Sequence, residues 1–215
     1  LGAPGVGKGS QASRIAKILS IPHISTGDLF REEISGNTQI GKKVSSFINQ
    51  GMLVPDEITV EILERRLLNN DCMNGFILDG FPRTASQAES LDRLLEKMDI
   101  KIDYVVNISL DDSEIVKRIT GRRTCKICSA VYHIEYHPSK TEELCDLCSG
   151  NLTSRADDIP EVIKQRLNIY HEKTKPLIDY YMNKSRFIQI ESNNLISVTT
   201  QRVFDALGID VSVNC

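Results

Sequence analysis

The segment Gly2-Ala3-Pro4-Gly5-Val6-Gly7-Lys8 constrains this chain more than any other feature, because it satisfies the pattern G-x-x-x-x-G-K. Such a loop works by leaving a strand and opening a helix. Its backbone N–H groups then point inward on phosphate oxygens, and the helix N-terminus favours negative charge. Glycine is needed where the backbone turns tightly and comes close to the ligand. The pattern departs from its common ending, since Gly9 follows Lys8 and the hydroxyl arrives one position later as Ser10. Gly5, Val6, Gly7, Lys8, Gly9 and Ser10 are therefore the expected cradle, and taken alone they say only that a triphosphate binds. The chain opens on Leu1, so the strand that normally delivers such a loop is almost entirely absent; the sequence is expected to be truncated, and an upstream targeting segment is left open.

Downstream patterning fits the α/β class that the loop demands. Ile15, Ile18 and Leu19 recur at helical spacing after the loop, and Ser25, three residues before Asp28, resembles a capping box opening a second helix. Ile58, Ile62, Leu63 and Leu67 mark a helix after Pro55, with Asp56 and Glu57 in its favourable first turn. Residues 75–78 and 102–108 are apolar runs that read as buried strands of a parallel sheet, joined through a helix carrying Ala88, Leu91, Leu94 and Leu95. Ile163, Leu167, Tyr170, Thr174, Leu177 and Tyr181 form a helical stripe of about five turns, with Pro176 as its expected kink. A last strand at 187–190 and a closing helix with Val203, Phe204 and Leu207 complete a three-layer fold, a parallel sheet flanked by helices. Asp157-Asp158 has two readings: partners for a hinge or nearby arginines, or acids preferred just before a helix start at Pro160.

Between 124 and 151 helical periodicity disappears, and an inserted small β domain is expected. Cys125 and Cys128, then Cys145 and Cys148, make two C-x-x-C knuckles separated by residues 129–144. That spacing closes one tetrahedral site, structural because all four positions are filled by protein thiolates. Zinc is expected, with iron as the lesser possibility. His133 and His137 read as ordinary residues of the insert, and Cys72 and Cys215 as plain thiols. The balance of 26 Lys+Arg against 29 Asp+Glu, a net charge of −3, lacks the global basic field of a general nucleic-acid binder, so positive charge must be local. No apolar run approaches the ~20 residues of a membrane span. A soluble, cytoplasmic monomer that binds neither membrane nor nucleic acid is the expectation.

Four segments together carry a resemblance over nearly the whole chain: the loop from Gly2 to Gln11; Ser25-Thr26-Gly27-Asp28 with Arg31; Leu78-Asp79-Gly80-Phe81-Pro82-Arg83 with Gln87; and Gly121-Arg122-Arg123 followed by Arg155 and Arg166. In this order they resemble the adenylate kinase family of nucleoside monophosphate kinases, in the long form with a zinc-bearing lid. Ser10 stands where the family usually has Thr and keeps the hydroxyl. The resemblance implies a P-loop core (1–24, 55–121 and 156–215), an AMP-binding segment (25–54) and a lid (122–155). It implies reversible transfer of a phosphoryl group from ATP to AMP with Mg²⁺. Thr26, Arg31, Met52, Leu53, Val54, Gly80, Phe81, Pro82, Arg83, Gln87, Arg155 and Arg166 would then hold AMP, with Gln87 reading the purine edge. Arg118, Arg122, Val131 and Tyr132 would face the donor, and a residue near 193–195 its base. Asp79 would order magnesium through water. Lys8, Arg83, Arg122, Arg155 and Arg166 would meet the charge spreading over the transferred group, a role suited to planar guanidinium forks. No carboxylate base is assigned, because the AMP phosphate is itself an anionic nucleophile. Two other readings stand beside it: a zinc-ribbon module that binds nucleic acid, which leaves the phosphate loop unexplained, and a related kinase with another acceptor.

Overall fold

A computed structural model describes residues 1–184, 186–193 and 195–210 of the chain; Cys215 and Asn194 lie outside the described residues. The phosphate loop feeds α1 (Lys8–Leu19), which buries Gln11, Ala12, Ile15 and Ala16. The chain then forms β1 (His23–Ser25) and α2 (Thr26–Ser35). Ser25 caps α2 by accepting from the Asp28 N–H, as the sequence pattern requires. A helix not anticipated from the sequence, α3 (Gln39–Asn49), follows behind an N-cap at Thr38, whose hydroxyl accepts from the Gly41 N–H at 2.9 Å. Next come α4 (Asp56–Leu67), β2 (Ile77–Asp79), α5 (Ala85–Lys97), β3 (Tyr104–Ser109) and α6 (Asp112–Thr120). The insert contains β4 (Arg122–Cys125), β5 (Val131–His133) and β6 (Leu152–Thr153), an antiparallel sheet in the order β5-β4-β6. The described residues close with α7 (Pro160–Ile169), α8 (Leu177–Met182), β7 (Arg186–Glu191) and α9 (Ile196–Leu207).

The strands of the main body are parallel, as expected, but they form two pairs and not one continuous sheet. His23, Ile24 and Ser25 face Ile77, Leu78 and Asp79 in one pair. Tyr104–Ser109 faces Arg186–Glu191 in register in the other. Leu1 attaches to the second: its amino group donates to the Val106 carbonyl at 2.5 Å and its carbonyl accepts from Ile108 N–H at 3.1 Å. The strand 77–79 is mostly but not fully buried, where its apolar run suggested a fully buried strand. Both pairs pack on one core cluster built on Ile15, Ile190, Val203 and Phe204, which Ile77 joins from one pair and Val106 from the other.

The long C-terminal helical stripe is broken. Residues 170–174 widen into a π-turn, Lys175 N–H bonding to the Tyr170 carbonyl, and the helix restarts after Pro176. Proline cannot donate to the preceding turn, so the ladder must adjust before it. That turn serves the site, because the Thr174 hydroxyl donates to the Arg83 carbonyl at 2.9 Å.

Candidate active site

At the C-terminal ends of β1 and β2, the loop, α1 and the segment after β2 converge. Gly5 and Gly7 take φ of 80° and 100°, values that L side chains resist. Gly9 is needed for a different reason: a Cβ there would sit 3.1 Å from Asp79 Oδ2, so the departure from the usual loop ending brings Asp79 against α1. Lys8 is folded back on the loop, its Nζ donating to the Ala3 carbonyl at 2.7 Å. Burial pushes its pKa down to about 8; Asp79 opposes the shift and Arg83, Arg166 and Arg122 add to it. Burial also pushes the Asp79 carboxyl upward, but its hydrogen bond to His23 Nε2 (3.4 Å) and the charge of Lys8 prevail and hold it at about 2. Asp79 is therefore an ionised carboxylate at a strand end beside the phosphate cradle, a position suited to a hydrated divalent cation.

The arginines gather on the other side. Arg122, at the start of β4, forks onto Asp158: Nε donates to Oδ2 at 2.8 Å and Nη2 to Oδ1. Arg166, on α7, donates to Asp157 Oδ2 at 2.7 Å and lies 3.5 Å from Asp158 Oδ1. Of the two readings of Asp157-Asp158, the arginine reading is the one realised; α7 begins after them with Pro160 in its first turn. Arg155 donates to Thr124 Oγ1 at 3.2 Å. Burial pushes Arg155 down to about 10, with Arg122 and Arg31 adding to the shift, and burial with Arg166 does the same to Arg83. The five cations thus lie close enough to feel one another's charge, with Asp79, Asp157 and Asp158 as the near counter-charges. Their mutual repulsion is relieved by bound polyanions, which is what a phosphate site requires.

A cavity opens beside this cluster. Its lining includes Thr26, Arg31, Met52, Leu53, Val54, Gly80, Arg83, Gln87 and Arg166, nine of the residues expected on AMP. Phe81 and Pro82, joined by a cis peptide bond, are buried at the joint after β2 and do not line the cavity; Phe81 packs in a core cluster with Ile24 and Leu91. Thr26 Oγ1 donates to the Gly80 carbonyl at 2.9 Å, and Arg83 Nε donates to the same oxygen at 2.7 Å. Residues not singled out from the sequence also line the cavity, among them Phe30, Ile48 and Thr59. Phe30 and Ile48 are apolar positions of α2 and α3, whereas Thr59 is a buried polar residue of α4 whose hydroxyl donates to the Pro55 carbonyl at 3.1 Å.

Arg118 lies under the loop. It donates to the Val6 carbonyl at 3.4 Å, to Ser192 Oγ at 3.0 Å and to the Asn193 carbonyl at 2.8 Å, tying the cradle to the end of β7. Tyr132 differs from expectation. Its hydroxyl accepts from Asp146 N–H at 2.9 Å and shares a hydrogen bond with Cys145 Sγ at 3.5 Å, and its ring stacks on His137. The side chain belongs to the lid core, because a half-apolar ring with a polar tip is what a minimal core beside thiolates needs. Of the pair expected on the donor nucleotide, only Val131 presents an exposed side chain.

In the lid the four cysteine sulfurs all lie within 4.8 Å of one another, Cys125 and Cys148 at 3.4 Å, Cys128 and Cys145 at 3.5 Å. Four thiolates around a metal at ~2.3 Å would be separated by about 3.8 Å. The donor set therefore fits a tetrahedral metal. The Ile127 and Leu147 N–H groups donate to Cys125 and Cys145, the knuckle turns that hold thiolate charge. The two histidines are not part of the cluster.

A family model described as adenylate kinase matches residues 1–186. The chain is similar to the adenylate kinase of Caldicellulosiruptor bescii, with 50% identity over 210 residues covering 98% of each chain. It is 49% identical over 209 residues to that of Ruminiclostridium cellulolyticum, covering 97% of this chain and 98% of the relative. With that of Lachnoclostridium phytofermentans it shares 52% identity over 181 residues, 84% of this chain and 83% of the other.

Proposed function

The chain belongs to the adenylate kinase family, and from that premise we propose how its residues carry out the reaction. It is a phosphotransferase that moves a phosphoryl group between ATP and AMP, yielding two ADP. The observation that carries the residue assignment is the meeting of Lys8, Arg83, Arg122, Arg155 and Arg166 beside a cavity lined by the expected AMP residues.

The loop from Gly5 to Ser10 cradles the donor phosphates, and Lys8 swings from the Ala3 carbonyl onto their oxygens. Thr26, Arg31, Arg83 and Gln87 hold AMP, with Met52 to Val54 against its base. Arg122, Arg155 and Arg166 meet the transferring group from the lid side. Asp157 and Asp158 keep these forks aligned while the site is empty and yield them to phosphates when it fills. The transfer itself asks for position and charge, not for a base, so aligned cations and excluded water supply most of the rate. Magnesium, bound with the donor, neutralises phosphate charge; Asp79 is the residue that would hold it through water. The lid (122–155) and AMP segment (25–54) close on the core (1–24, 55–121 and 156–215) and shut out water that would otherwise take the phosphoryl group.

Cys125, Cys128, Cys145 and Cys148 hold zinc, which has no open position and serves the lid's fold. A single chain furnishes all the charged groups, which supports a monomer, and thiols kept for a metal suit a reducing cytoplasm. Among the described residues no helix is long and apolar enough to cross a membrane.

A two-substrate screen, pairing ATP or GTP with AMP, GMP, UMP and CMP, tests this reading. ATP with AMP is expected to give the highest kcat/KM, and Lys8→Ala to lower turnover at least ~10²-fold without loss of fold. Near-normal turnover in that variant would remove the loop lysine from the mechanism.

A further inference from the structure

The geometry points to Asp56 as a positioning residue that sets which purine the acceptor site takes, by locking the side-chain amide of Gln87 in one of its two orientations. The inference rests on the proposed role of Gln87 at the base edge. Gln87 is 2% exposed, yet it lines the cavity. Its Nε2 donates to Asp56 Oδ1 at 2.6 Å, and its Oε1 accepts from the Arg83 backbone N–H at 2.8 Å. An ionised carboxylate only accepts and a backbone N–H only donates. A flip of the amide would set oxygen against carboxylate and N–H against N–H, leaving buried polar groups unpaired. The amide is therefore fixed by chemistry and not by shape.

What remains free on Gln87 is one hydrogen on Nε2 and one lone pair on Oε1. Adenine offers an acceptor at N1 beside a donor at its exocyclic amine, which fits this pair. Hypoxanthine and guanine offer the reverse, a donor at N1 beside an acceptor at O6, and would need the amide turned over. The discrimination thus lies one residue behind the contact. Asp56 is itself held in place by both helices it joins. It sits in the first turn of α4 directly after Pro55, and Thr84 Oγ1 (3.3 Å) and Ser86 Oγ also donate to its Oδ2, joining α4 to the start of α5. Because α4 follows the AMP segment, the same carboxylate ties the acceptor pocket's entrance to the residue that reads its content.

The test compares AMP with inosine monophosphate, which differs at the base edge in question, as acceptors with ATP. In Asp56→Asn the side-chain amide can turn its N–H₂ toward a flipped Oε1. The ratio of kcat/KM for AMP to that for inosine monophosphate is expected to fall about tenfold, mainly through a higher KM for AMP with kcat little changed. Ser86→Ala, which removes a different partner of Asp56, should leave the ratio as it is. An equal fall in Ser86→Ala would mean general loosening and would overturn the proposal. So would an unchanged ratio in Asp56→Asn when Gln87→Ala raises the KM for AMP. If Gln87→Ala leaves that KM unchanged, the base-reading role fails first and the proposal with it. A neutron structure of the unaltered protein with AMP reads the same point without a variant: Nε2 facing Asp56 is expected, and Nε2 facing the Arg83 N–H would end the idea.

Discussion

Lys8 carries its charge at a disadvantage until phosphate arrives. Its pKa is pushed to about 8 by burial among Arg83, Arg122 and Arg166, against 10.5 in an ordinary lysine. In the empty protein the proton is therefore half lost near pH 8, whereas donor phosphates restore the charge and raise the pKa again. Between about pH 8 and 10.5 binding must take up a proton, so affinity for the donor falls as pH rises, by at most about tenfold per unit. For folding the sign is opposite: the unfolded lysine binds more proton than the folded one in this window, so this group makes the empty protein more stable as pH rises through it. Calorimetric titration of ATP in buffers of different ionisation heat is expected to show proton uptake at pH 8.5 and almost none at pH 6.5. Equal uptake at both would mean that Lys8 keeps its proton throughout. At this scale the sequence spoke clearly about residue type and less clearly about partners. Lys8, Asp79 and the arginines could be singled out as candidates because phosphate chemistry admits few side chains. The role of Tyr132 was not, because turning a phenol toward thiolates is decided by packing in the folded lid. The choice of Asp157 and Asp158 between arginines and helix cap rests on contacts between residues up to 36 positions apart, from Arg122 to Asp158.

Elements were readable wherever a face repeats and a cap ends it. The helix of residues 39–49 was not anticipated, although Ile40, Val44, Phe47 and Ile48 recur at helical spacing and Thr38 caps it; in the sequence it reads only as part of the AMP-binding segment 25–54. The split of the parallel strands was not legible, since apolar runs reveal strand character but not what lies beside each strand. The lid shows the limit of local reading from the other direction. Its three strands are 4, 3 and 2 residues long, and its core is Cys125, Tyr132, Cys145 and Leu152 with Ala130 beside them. So few apolar groups cannot offset the ordering of some thirty residues, and a metal held by the four cysteines would supply the difference. Chelation is therefore expected to lower the melting temperature and expose residues 122–155 to protease, while initial rates at low temperature fall less. The opposite ranking, activity lost at once with the melting curve unmoved, would make the metal catalytic and contradict four filled positions.

The whole molecule is a body whose charge pattern is completed by its substrates. A net charge of −3 hides a centre where Lys8, Arg83, Arg122, Arg155 and Arg166 outnumber Asp79, Asp157 and Asp158, brought there by the loop, the segment after β2, the lid and α7. Those contributors lie in separate parts of the fold, so their repulsion favours keeping the parts somewhat apart when no anion is bound. A ligand that spans both nucleotide sites relieves the repulsion everywhere at once, whereas ATP or AMP alone relieves part of it. Two adenosines joined through five phosphates should therefore raise the melting temperature by more than ATP and AMP do singly when each is compared at the same free concentration. At one hundred times its dissociation constant any ligand adds about 2.7 kcal/mol, so the comparison must be made on the extrapolated constants and not on one temperature shift. The joined ligand should bind at least ~10²-fold tighter than either nucleotide, as for two sites engaged by one molecule. Its advantage should shrink as salt rises from about 0.05 M to about 0.5 M, since screened cations repel less and gain less from phosphate. If the joined ligand bound no tighter than ATP, the two nucleotides would not share one line of cations, and the arginines of the lid and of α7 would need another purpose.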